Sequence, residues 1–200
     1  MLAASCLCSA PCLPAAGAVE ETVLHLPLQQ TPGGVLTTGV FIDGEPFQVI
    51  IDTGSPYLVV PLEDSCNAQP AKQSFYGCAS PGQFVRAGFP STSEQYGAVP
   101  GKMEWLAGEL SFGETDLRME SDGSLSLLLR YRDLGAKLGR RRTATVFGGA
   151  DRRVLSQSGG ALLGLIRNVN RLPQSTIPRS DLRLTVLEQL GLCAFRLDAP

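Results

Sequence analysis

An all-β fold with one or two short helices is what the sequence predicts, and three observations predict it. Short apolar runs alternate with a period of two, as in VLHLPL from Val23 and VLTTGVFI from Val35. Turn-forming residues separate them at short intervals, with 22 Gly and 14 Pro among 200 residues. Asp43-Gly44, set between two such runs, is a strong hairpin signal. Apolar residues make up 44% of the chain, enough for a core, and the length suits one domain or one lobe of a larger protein.

The chain opens with an uncharged stretch, residues 1–19, rich in Ala, Leu, Cys and Pro. Ala16-Gly17-Ala18 has the small-x-small form of a signal-peptidase site, and Glu20 and Glu21 come directly after it. Pro11 and Pro14 interrupt the apolar run, and no basic residue precedes it. Both a signal peptide and a disordered leader fit residues 1–19. The domain proper is expected over 20–200. No later segment is long and apolar enough to span a bilayer as a helix.

The strands of the first hairpin lead into FQVIIDTGSPYLVVP, Phe47 to Pro61. Two β-branched apolar runs flank Asp52, Thr53, Gly54 and Ser55, which read as a polar loop between two buried strands. A carboxylate there needs hydrogen-bond partners, because burying an unpaired charge is costly. Thr53 and Ser55 carry hydroxyls, and Gly54 lets backbone approach closely. The same residues would also make an Asx-type turn, so on their own they leave turn and site both open.

Beyond Pro61 the sequence loosens around Cys66 and Cys78, which could close a small surface loop as a disulfide in a secreted protein. Cys6, Cys8 and Cys12 would leave with a cleaved leader, and Cys193 would then be odd. Ser91 to Gly113 reads as a hairpin whose second strand runs from Leu106 to Phe112, with Tyr96-Gly97 at its tip. SLSLLLRYRDL suggests a strand and then a loop, and TATVFGG a strand ending in glycines. In Gly159-Gly160-Ala161-Leu162-Leu163-Gly164-Leu165 an apolar pair precedes Gly, a pattern of close backbone packing inside a sheet. Thr185 to Leu190 reads as a short helix capped by Gly191.

Charge and residue counts exclude several classes of function. Net charge is only −2, giving no reason to expect nucleic acid as a partner. The clusters Arg140-Arg141-Arg142 and Arg152-Arg153 read as solvated loops ahead of a phosphate site, with no interleaved aromatic residue for base stacking. The single histidine, His25, lies in a strand-like segment away from any nucleophile loop. No paired C-x-x-C hooks occur, so no metal site and no cofactor is expected. Carboxylate chemistry is what remains for a hydrolase.

Taken together, TTGVFIDGEPFQVIIDTGSPYLVVP and the segments downstream of Pro61 resemble the N-terminal lobe of pepsin-like aspartic endopeptidases, especially their plant and algal branch. The resemblance covers roughly residues 22 to 197. It implies one lobe of a bilobal β-barrel fold, with Asp52 as a catalytic carboxylate and Thr53, Gly54 and Ser55 supporting it. Tyr96 and Gly97 would belong to the flap that closes over a polypeptide substrate. Leu162, Leu163 and Gly164 would pack beneath the catalytic loop, and Cys66 and Cys78 fall where the family often places a small disulfide. If residues 1–19 are a secretory leader, the chain is expected in a secreted or endomembrane (vacuolar) compartment.

The chain departs from the family pattern at Val59, where an aromatic is usual, at the tip Ala98-Val99-Pro100, and at Ile166, where a Gly is expected. It also carries no second Asp-Thr-Gly or Asp-Ser-Gly. The family needs two carboxylates sharing a proton, one acting as base towards water and one as acid towards the scissile carbonyl. Three arrangements would reconcile this: a C-terminal lobe absent from this chain, a second copy supplying the other aspartate, or a non-catalytic binding relative of the xylanase-inhibitor type.

Overall fold

The computed structural model describes residues 22–63, 66, 76–96, 100–112, 126–131, 143–151, 153–155, 160–166 and 184–198. Residues 1–19, Gly97 to Val99, and Arg140 to Arg142 lie outside them. The fold is mostly β. The first hairpin and the Asp52 segment give β1 (Thr22–Pro27), β2 (Gln29–Gln30), β3 (Leu36–Ile42), β4 (Glu45–Asp52) and β5 (Leu58–Pro61). Next come β6 (Val85–Arg86), β7 (Thr92–Glu94), β8 (Gly101–Ser111), β9 (Ser126–Tyr131), β10 (Thr143–Ala150) and β11 (Ala161–Gly164). Helix α1 (Val186–Gln189) and β12 (Leu192–Asp198) complete the described chain.

One sheet runs in the order β2-β3-β4-β11-β5-β10-β8-β6, and β3 also pairs with β8. That extra pairing closes β3, β4, β11, β5, β10 and β8 into a barrel. Alternation sends Val40, Ile42, Phe47, Val49, Leu58, Val60, Leu110, Phe147 and Leu163 into its core. A second sheet, β1-β9-β12, adds Leu24, Leu26, Leu127 and Leu129 to the same core. Their removal from water is the main favourable contribution to folding. The opposite faces of β5, β8 and β11 are covered too, by a smaller cluster holding Val59, Met103, Trp105 and Leu162. This two-sided burial is why LVVP and ALLG are apolar without alternation.

Local chemistry sets the connections. Asp43 (φ 52°) and Gly44 (φ 86°) both take the left-handed conformation that a two-residue hairpin turn requires. The Asp43 carboxylate then accepts a 2.7 Å hydrogen bond from the Glu109 amide, tying the turn to β8. Asp43→Ala removes that acceptor and places a strained φ on Ala, so it is expected to cost about 2 kcal/mol. Asp43→Asn keeps both features and is expected to cost under about 1 kcal/mol; urea midpoints of the two variants check the difference.

Helix α1 has the expected position and ends. Thr185 caps its start, with Glu188 completing a reciprocal capping box, and Gly191 (φ 70°) lies just past its end. The two-residue strands β2 and β6 have no counterpart in the sequence expectation, and two longer elements differ from it. β8 starts at Gly101, well before Leu106, because its first residues pair with β7. β12 has no counterpart in the sequence pattern: a register shift between Leu192 and Ala194 breaks the period of two that would reveal it.

Candidate functional site

Asp52 is the last residue of β4, where its backbone stands opposite Gly164 in the parallel β4–β11 pairing. β11 is slotted between β4 and β5, parallel to one and antiparallel to the other. It therefore fills the gap that opens where the chain turns from β4 to β5. Three backbone hydrogen bonds fasten the loop to it: Leu165 N–H to Asp52 O (2.9 Å), Gly164 N–H to Tyr57 O (3.0 Å) and Ile166 N–H to Ser55 O (3.0 Å). From below, the Val186 amide at the start of α1 donates to Pro56 O. Of Leu162, Leu163 and Gly164, Gly164 comes closest to the loop, while Leu163 and Leu162 stand opposite Leu58 and Val59 of β5, Leu163 facing the barrel core and Leu162 the smaller cluster.

Only a glycine fits at position 164. A Cβ there would stand 2.5 Å from Ser55 O, 2.6 Å from Tyr57 N and 2.7 Å from Tyr57 O, all backbone atoms of the loop. Gly54 is confined as well, since its Cβ would come 3.1 Å from Asp52 Oδ1. That carboxylate oxygen accepts a 2.8 Å hydrogen bond from the Gly54 amide. Asp52 is partly exposed, Thr53 and Gly54 are exposed, and Ser55 is buried.

Ser55 departs from the expected role. Its hydroxyl is buried and has no hydrogen-bond partner among the described residues, so here the carboxylate is oriented by the Gly54 backbone. Burying a hydroxyl without a partner is unfavourable, and such a group calls for a reason.

Tyr96 lies just beyond β7 on the hairpin formed with β8 and packs, partly buried, against the smaller cluster. That cluster also contains Val59 and Leu162, so the structure brings Tyr96 to the same side of the sheet as the Asp52 loop. Gly97 lies outside the described residues. The β8 side of the hairpin is clamped at Lys102, opposite Ser93, by Asp151, whose Oδ2 accepts from the Lys102 amide (3.0 Å) while its own amide donates to Lys102 O (3.1 Å). On the face of β8 turned away from Trp105, Lys102 donates to Glu104 (2.7 Å). This bond, then the charges of Lys102 and Arg86, hold the Glu104 carboxyl below its usual range against partial burial.

Cys66 and Cys78 form the disulfide. It fastens a segment whose Tyr76 ring lies against the Gly160 backbone, just before β11. Burial raises the Tyr76 hydroxyl above its usual range. With a separation of 12 residues, the cross-link is expected to contribute about 3 kcal/mol. Melting with and without a thiol reductant checks this. Tm is expected to fall by about 8 °C on reduction, and an unchanged Tm would contradict it.

Sequence reasoning misses Tyr57, Trp105 and Thr92. The Tyr57 and Trp105 rings meet edge to face at 4.9 Å, and the Trp105 indole N–H donates to Thr92 Oγ1 at 3.0 Å. Both aromatic residues are visible as types, but their meeting depends on pairing between distant strands. Among the described residues no group of three or more His, Cys, Asp or Glu is placed to hold a metal ion. No described helix is long and apolar enough to cross a membrane. No protein-family model matches the chain, and no curated protein matches it.

Proposed function

We propose that this chain is one lobe of an aspartic endopeptidase of the pepsin-like type, with Asp52 as one of its two catalytic carboxylates. The observation that carries the reading is the Asp52 loop itself. A partly exposed carboxylate sits at a strand end, oriented by the Gly54 amide, in a loop fastened to an inserted strand at a position where only Gly fits. Rigid support of this kind is what a reacting carboxylate needs. The Tyr96 hairpin on the same side of the sheet and the barrel architecture add to it.

In this mechanism Asp52 shares a proton with a second aspartate, supplied by a C-terminal lobe or, less favoured at this chain size, by another copy. Two like charges at close range push the two titrations apart, leaving one group a base and the other an acid at the same pH. The base takes a proton from water as it attacks the scissile carbonyl, and the acid protonates the carbonyl oxygen. Tyr96 would cover the bound peptide and exclude water. The polypeptide is the substrate, and no cofactor enters the chemistry. The Cys66–Cys78 cross-link supports an oxidising compartment, secreted or endomembrane.

The single Asp-Thr-Gly favours a second reading, a non-catalytic pepsin-like binding module of the xylanase-inhibitor type. Digestion of a denatured protein at acid pH separates the two. The peptidase cleaves it and is blocked by a statine-type peptide, whereas the binding module leaves it intact.

A further inference from the structure

Trp105 is the only tryptophan in the chain, 2% exposed at the centre of the smaller cluster. Its indole N–H donates to Thr92 Oγ1 (3.0 Å), and the Thr92 hydroxyl in turn donates to Glu94 Oε1 (2.7 Å). Thr92 thus uses its hydroxyl as acceptor and donor at once, which Ser can reproduce and Val cannot. Hydrogen bonds in series strengthen one another, and the last one ends on a carboxylate.

The two ends of this chain of bonds lie on different parts of the site. Thr92 and Glu94 are i and i+2 on β7, on one face of the strand, opposite Met103 and Gly101 of β8. Tyr96 comes two residues later and packs against the same cluster. At the other end, Trp105 meets Tyr57 edge to face, with ring centroids 4.9 Å apart. Tyr57 O accepts from Gly164 N, and Gly164 stands opposite Asp52. A continuous series of contacts therefore joins the Tyr96 hairpin to the Asp52 loop.

We infer that Trp105, Thr92 and Glu94 are positioning residues that set the Tyr96 hairpin over the Asp52 loop. The functional part of this inference rests on the half-site reading; the mechanical part does not. None of the three needs to touch the reacting atoms. They fix the strand that delivers Tyr96, and a loosened strand would weaken its grip on a bound peptide without altering Asp52.

Amide hydrogen exchange and the one indole N–H resonance test this on the wild type, Thr92→Val and Thr92→Ser, with a statine-type peptide as the probe. In Thr92→Val, exchange in β7 and the facing part of β8 is expected to rise about tenfold while β4 and β11 stay unchanged. The indole resonance should move, and the statine-type peptide should bind about tenfold more weakly. Thr92→Ser should restore all three. The inference is overturned if hairpin exchange in Thr92→Val matches the wild type, or if Thr92→Ser behaves like Thr92→Val, which would make the methyl group the cause. Should the peptide fail to bind the folded wild type while Thr92→Val still loosens the hairpin, the half-site reading falls and the anchoring role of the bonds is supported.

Discussion

Gly164→Ala is expected to be the most damaging single-methyl change in the described chain. The added carbon would meet three backbone atoms of the Asp52 loop at 2.5 to 2.7 Å, and loop backbone held by hydrogen bonds from Gly164, Ile166 and Val186 cannot swing aside as the end of a side chain can. Either β11 moves away from β5, breaking the bonds from Gly164 and Ile166, or the loop moves and takes Asp52 with it. Overpacking of this kind costs about 3 kcal/mol, a large share of the stability of an ordinary domain. For a chain of this size, Tm should fall by about 8 °C. Gly33→Ala is the control, since its Cβ would meet nothing closer than 3.9 Å and its φ is not positive. That variant should melt within about 2 °C of the wild type. Equal melting of the two variants would show that the close packing beneath Asp52 does not hold the loop.

How much of this is legible in the sequence depends on whether each feature is local. The Asp43-Gly44 turn, the alternating strands on either side of it, and the Thr185 to Gly191 helix are specified by residues within a few positions of one another. Leu162-Leu163-Gly164 announces close packing because an apolar pair before Gly has few other uses in a sheet. The surface it packs against is not local. The insertion of β11 between β4 and β5 joins segments separated by most of the chain, and no periodicity encodes that pairing. The Trp105 bond to Thr92 is hidden for the same reason. Val59 brings no ring to the cluster, and the Trp105 indole reaches it from β8 instead. Ser55 misleads in a different way: its type suggests a partner for Asp52, but the amide of Gly54 takes that place and the Ser55 hydroxyl is buried.

The second large effect is expected at Asp52, and it should fall on activity while sparing stability. Asp52→Asn keeps an oxygen able to accept from the Gly54 amide and changes little in volume. The side chain is partly exposed and has no ion-pair partner among the described residues, so loss of its charge strands no cation there. Stability should change by less than about 1 kcal/mol. The amide cannot exchange the proton that the reaction requires, and loss of a general acid or base costs at least about a hundredfold in rate. Asp52→Ala should lose as much activity and also about 1 kcal/mol of stability, because the Gly54 amide loses its acceptor. Loss of activity without loss of stability would mark Asp52 as a reacting group and not a turn-former.

The most direct test is therefore the rate at which the purified protein, expressed from its complete transcript, cleaves a denatured protein at acid pH. Wild type and Asp52→Asn would be compared with and without a statine-type peptide. The half-site account predicts cleavage by the wild type, its block by the peptide, and a loss of at least about a hundredfold in a variant that melts like the wild type. Cleavage by folded Asp52→Asn at the wild-type rate would contradict it, as would a folded wild type that cleaves nothing across the acid range.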